Sequence, residues 1–307
     1  MKGLAAFVMR GRVQALLVAV AGAGSLLFCW ISAAVVALVT LRKGAGQGGW
    51  LLAWAQLPAG TLAYAFGDSG PLSLLLGTMA LAMVLRGSVN LPLAVLAAVP
   101  VGGLTGLALV VFGSEQLQQV AAYFGDFLAD LEQQLSQGGQ AVELARPGVV
   151  QIAGMMGAGT AVTAVLCLLL ARYWQAALYN PGGFGQEFRA MRYPPVVATL
   201  LALAAVALAG LGQDFRTWAM ICVLPLAFSG LALVHARVKW RGQGTGWLVG
   251  FYVAWLVFDP VKLLVVFAAI ADSWFNFRQR WHPRPGNELA RRDDDRHDGA
   301  RRDDDED

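Results

Sequence analysis

A chain of 307 residues in which 57% are hydrophobic and only 14% charged is too apolar for an ordinary soluble domain, where roughly a quarter of residues carry charge. The charge is also partitioned: residues 287–307 hold five Arg and ten Asp or Glu, leaving 18 basic and ten acidic groups in residues 1–286. A basic, apolar body of this kind reports loops beside a membrane and excludes nucleic-acid binding, which needs a soluble basic face.

Lys2, Arg10 and Arg12 precede an apolar stretch, Val13–Leu41, that runs on past Ala21-Gly22-Ala23. A retained membrane segment is therefore expected rather than a cleaved leader. Single spans follow at Trp50–Phe66, Pro71–Leu85, Leu91–Phe112, Val149–Ala171, Pro195–Leu211 and Thr217–Val234, near the roughly 20 residues a bilayer demands. Lipid offers no partner for an orphan peptide group, so each must be helical. Val13–Leu41 and Gly246–Phe277 are too long for one span and suit a tilted helix or a short hairpin. Loop charge favours hairpins. Arg42-Lys43 follows the first and Arg278, Arg280 and Arg284 the last, and both clusters want the face that holds Met1–Arg12. Asp259-Pro260 is the natural turn of the last pair, because Pro disfavours helix at the residue before it. The expected fold is an all-α polytopic transmembrane bundle over residues 1–286, with eight to ten membrane segments, ten fitting the charge pattern better. Both termini would face the cytoplasm of a bacterial inner membrane.

Residues 114–147 form the one sizeable insert. Leu117, Val120, Phe124, Phe127, Leu128, Leu131 and Leu135 recur at helical spacing and predict an amphipathic, acidic helix outside the cytoplasm. It would lay its apolar stripe on helix ends, as a connector or a lid. Residues 287–307 repeat Arg-Arg-Asp-Asp-Asp and have almost nothing to bury, so a disordered tail is expected.

No nucleophile, metal-ligand or phosphate-loop pattern appears, which predicts a protein that is not an enzyme and needs no metal or cofactor. Cys29, Cys167 and Cys222 each sit in an apolar run and read as small buried hydrophobes. Gly154-Met-Met-Gly157-Ala-Gly159 lies inside a span and reads as a helix-packing face, as do Gly102 with Gly106 and Ala15, Ala19 and Ala23. Such faces serve either the bundle itself or a second membrane protein. Gln56, Gln151, Thr160 and Thr163 are the main polar residues at mid-span, a scarcity that points to an apolar solute or to none.

The most distinctive stretch is the basic loop 172–192. Tyr173, Trp174 and Tyr179 make an interfacial belt. Asn180-Pro181-Gly182-Gly183 is a turn. Phe184 and Phe188 should point back to the membrane, with Glu187 beside Arg189 and Arg192. The loop reads as an anchor or as a docking or gating element, and the candidate binding residues are Tyr179, Asn180, Pro181, Gly182, Gly183, Phe184, Glu187, Arg189 and Arg192.

Tyr179-Asn-Pro-Gly-Gly-Phe184 followed by Glu187-Phe-Arg189, with Leu41-Arg-Lys-Gly44 and Ala271-Asp-Ser-Trp-Phe-Asn-Phe-Arg278, resembles the YybS-like family of bacterial membrane proteins. That family is similar in turn to the S components of energy-coupling-factor transporters. The resemblance implies a helical bundle holding a small molecule, and it implies that Ala15, Ala19 and Ala23 dock a partner module. Two functional expectations follow. One is a membrane protein that binds and helps to move a small or lipid-like solute. The other is a scaffold that recruits a membrane or cytoplasmic protein through residues 172–192.

Overall fold

The computed structural model describes residues 2–136 and 143–281, which form fifteen helices and, among the described residues, no strand. The expected tail, 287–307, lies outside them, as do Gly138 and Gly139. The fold is an all-α bundle, and its composition makes it an integral membrane protein.

Four helices are long and apolar enough to cross a bilayer: α5 (Gly70–Ser88), the continuous Leu91–Phe112 stretch of α6 (Leu91–Leu96) and α7 (Ala98–Phe112), α9 (Val149–Tyr179) and α12 (Gln213–Trp240). Two bent pairs raise the number to six if each is one span. These are α10 (Gly183–Ala190) with α11 (Pro195–Gly210), bent by 69°, and α13 (Thr245–Val257) with α14 (Asp259–Phe275), bent by 113°. The ten expected segments are all present as helices, yet several are too short or too polar to cross alone. Helix α4 (Ala45–Phe66) has 22 residues but opens on Ala-Gly-Gln-Gly-Gly.

The opening stretch does double back. Helix α1 (Lys2–Arg10) leads into α2 (Arg12–Ala23), and α3 (Cys29–Lys43) returns after the turn at 24–28. Helix α2 spans only about 18 Å at 1.5 Å per residue, so the hairpin stops partway. Gly24 packs on Pro58 in the middle of α4, and Cys167 Sγ, in the interior of α9, donates to Trp30 O at 3.3 Å. The two arms fit closely because Ser32 Oγ donates to Ala19 O at 2.6 Å. The closing pair turns where expected, with Pro260 in the first turn of α14. Lys262 pairs with Asp259 at 2.6 Å.

Contacts between loops fix which ends lie together. Arg86 Nη1 donates to Leu41 O at 2.8 Å, and the Arg42 guanidinium lies 4.1 Å from the Tyr179 ring centre. Arg12 and Lys43 border one small cleft. At the opposite end Ser69 Oγ meets Gln116 Oε1 at 2.9 Å, and Trp218 Nε1 donates to Val150 O at 3.0 Å. The expected inside residues therefore gather at one end, and Asp68 and Asp214 at the other. Cysteines introduced at Lys43 and Gly182 should be labelled by an impermeant maleimide from the same side of the membrane, and one at Gly67 from the other. Labelling of position 43 from the side that labels 67 would break this arrangement.

Helix α8 (Ser114–Ser136) is amphipathic, as expected. Only its first two turns are packed: Leu117 is buried against Leu109 and Ile152. Further along, Phe124, Phe127 and Leu135 are exposed, so the stripe does not lie on helix ends over its length. Glu132 instead holds the returning chain, accepting from Leu144 N at 2.7 Å and lying 3.7 Å from Arg146.

Candidate functional site

The basic end is built where α9 stops. The expected loop begins at residue 172, but α9 stays helical to Tyr179. Ala176, Ala177 and Leu178 are good helix formers, and the helix ends only where Pro181 prevents its continuation. Gly182 then takes φ 88°, a left-handed conformation that favours glycine. A Cβ on Gly183 would collide with the Asn180 side chain. The two glycines so permit a tight reversal into α10, and Tyr179, Asn180, Pro181 and Gly182 are exposed on it.

Helix α10 is held from three sides. Phe184 stacks with Phe188 at 6.0 Å and meets Tyr173 edge-on at 6.0 Å. Phe188 in turn meets the His235 ring at 5.4 Å. The aromatics thus turn inward onto α9 and α12. Glu187 does not lie with Arg189 and Arg192: it pairs with Arg172 on α9, Nη2 to Oε2 2.8 Å, with both side chains about four-fifths buried. The reversal brings the end of α9 back over α10, so the cation across the turn wins over Arg189 on Glu187's own helix and Arg192 just beyond it. Replacing Glu187 by Ala should lower stability by about 1–3 kcal/mol, as for a largely buried charge left without its ion-pair partner; unchanged thermal unfolding in detergent would count against the pairing.

The third tie was not foreseen as a site. Asn276 ends α14 at φ 48°, a left-handed angle that Asn tolerates. This turns the chain so that Phe277 N reaches Asp272 Oδ1 at 3.0 Å. Arg278 Nε then lies 3.1 Å from Asp272 Oδ2, and its guanidinium donates to Arg189 O and to Ser229 O. One arginine so joins α10, α12 and α14. Burial pushes the Arg278 guanidinium below its ordinary pKa; Asp272 raises it again, and the charge of Arg192 lowers it. The only sequence signal was the closing Asp-x5-Arg, which carried no partner information.

Around this tie lies an open cleft of about 1480 Å³. Arg189 and Arg192 line it from the α10 side and Lys239 from α12, while Arg278 and Arg280 belong to α15 (Phe277–Trp281) and its start. Trp240 and Trp281 form its aromatic edge, 6.1 Å apart, with Arg237 against both rings. Among the expected binding residues the structure brings Arg189 and Arg192 to this cleft. It leaves Tyr179 to Gly183 on the exposed turn and uses Phe184 and Glu187 for packing.

The alanine face is packed inside the chain. Ala15, Ala19 and Ala23 are 3%, 0% and 0% exposed, covered by the returning hairpin and α4 within the same chain. The Ser32–Ala19 contact closes the hairpin over this face. Gly102, Gly106, Gly154 and Gly157 likewise serve internal packing of α7, α9 and α12. Of the mid-span polar residues, Gln56 donates to Leu72 O and Thr163 to its own helix at Gly159 O.

Comparison of the chain with family models, curated proteins and solved structures found no match.

Proposed function

We propose that this protein binds a small, lipid-like solute at the basic end of its bundle, without chemistry of its own. The observation that carries the reading is the cleft itself. It is the larger opening described above, it draws residues from α10, α12 and α15, and its walls are fixed by the Arg278 tie. Cavities between bundle helices with aromatic walls and a few convergent polar groups are common ligand sites. The basic end faces the cytoplasm of a bacterial inner membrane in this proposal, as the positive-inside rule requires. Kinship with the YybS-like family, and with it a part in moving the solute, belongs to the same proposal.

The test is gentle purification followed by mass spectrometry of what stays bound. The paired variant Arg189→Gln/Arg192→Gln should keep its thermal unfolding midpoint within a few degrees yet lose the co-purifying solute. Retention of the same solute at the same ratio would remove the cleft from the reading. A second reading is favoured by the exposed Tyr179–Gly182 turn, which offers a protein partner an aromatic handle. Co-purification of a protein that disappears with Tyr179→Ala, and not with the arginine pair, would select it.

A further inference from the structure

Four cations converge on the cleft without an acidic partner among the described residues. Arg189, Arg192, Lys239 and Arg280 line it, and none has a carboxylate within ion-pair distance among the described residues. No Asp or Glu stands among the described lining residues either. The fifth cation, Arg278, is already held by Asp272 at 3.1 Å. Like charges gathered in one recess raise the local positive potential and concentrate anions there. Guanidinium groups suit phosphate in particular, because their planar forks match two of its oxygens.

The setting narrows the ligand further. Trp240 and Phe275 line the same cleft and are 45% and 56% exposed, so apolar surface stands beside the cations at the end of the membrane body. A soluble phosphate would use the cations and leave these rings bare. A phospholipid would use both, with its headgroup among the arginines and its chains along the aromatic side. Basic pockets between helices on the cytoplasmic side are suited to anionic headgroups. Taking solute binding at this cleft as given, we infer that the ligand is an anionic phospholipid, recognised by its phosphate.

Native mass spectrometry of the full chain in detergent tests this with phosphatidylglycerol, phosphatidylcholine and inorganic phosphate as probes. Phosphatidylglycerol should be retained about tenfold or more tightly than phosphatidylcholine, whose choline the four cations repel. Arg189→Gln/Arg192→Gln and, separately, the exposed pair Lys239→Gln/Arg280→Gln should each reduce that retention by at least about tenfold. Arg189→Lys/Arg192→Lys should restore most of it, and Lys2→Gln/Arg10→Gln should change nothing. Displacement of phosphatidylglycerol by inorganic phosphate at lower concentration than the lipid itself would overturn the lipid assignment in favour of a soluble phosphate. Equal retention of both lipids, still lost in the Gln variants, would overturn phosphate recognition while leaving solute binding intact. Undiminished retention in both Gln pairs would overturn the two together.

Discussion

Replacing Asp272 by Asn is expected to lower the midpoint of thermal unfolding in detergent by on the order of 10 °C. Asp272 is fully buried, and both its oxygens are engaged, one by Phe277 N and one by the Arg278 guanidinium. Loss of the carboxylate's charge leaves Arg278, whose side chain is only 14% exposed, without an anion. Removing one member of a buried ion pair costs about 3–5 kcal/mol, most of it the penalty of the stranded charge. At roughly 2–4 °C per kcal/mol for a domain of this size, the midpoint should move visibly. A double variant, Asp272→Asn/Arg278→Gln, removes the stranded charge and should recover part of the loss. An unaltered midpoint in the single variant would mean that the pair is solvated and ties nothing.

Substituting Gly157 by Ala is expected to destabilise the bundle by about 3 kcal/mol or more, beyond the usual range for overpacking. A Cβ at that position would run into Gly102 O on the facing helix, and one at Gly102 would lie 2.9 Å from Gly157 O. The obstacle is main chain on both sides, so α7 and α9 must separate rather than repack a side chain. Gly159, two residues on, has nothing within 4 Å. There Gly159→Ala should be neutral or stabilising by up to about 1 kcal/mol through helix propensity. Parallel unfolding curves of the two variants check the pair. Equal effects would show that the crossing of α7 and α9 is not set by these glycines.

The sequence carried the two hairpins because loop charge and proline mark them: Arg42-Lys43 demanded a return after Val13, and Asp259-Pro260 stopped α13. It carried the internal role of Gly102, Gly106 and Gly157 through their spacing. It did not carry the length of α9, since Arg172 ends the apolar run while the helix, being good propensity throughout, continues to Tyr179. Glu187's partner was invisible for the same reason. A reversal at Gly182 brings together residues whose separation has no helical period. The Arg278 tie and the cleft are assembled from α10, α12 and α15, and no local pattern announces a junction of three distant segments. The stripe on α8 shows the converse: its period was legible, but what the stripe would touch was not, and only Leu117 is buried.

The Arg278 tie also has a temporal side. Synthesis runs from the N-terminus, so α9, α10 and α12 are all made before Asp272 and Arg278 leave the ribosome. Until then the carbonyls of Arg189 and Ser229 lack the donor that joins them, and the ion pair that locks α14 does not exist. A chain that ends short of residue 272 therefore holds neither member of the pair, and its basic end is unlatched.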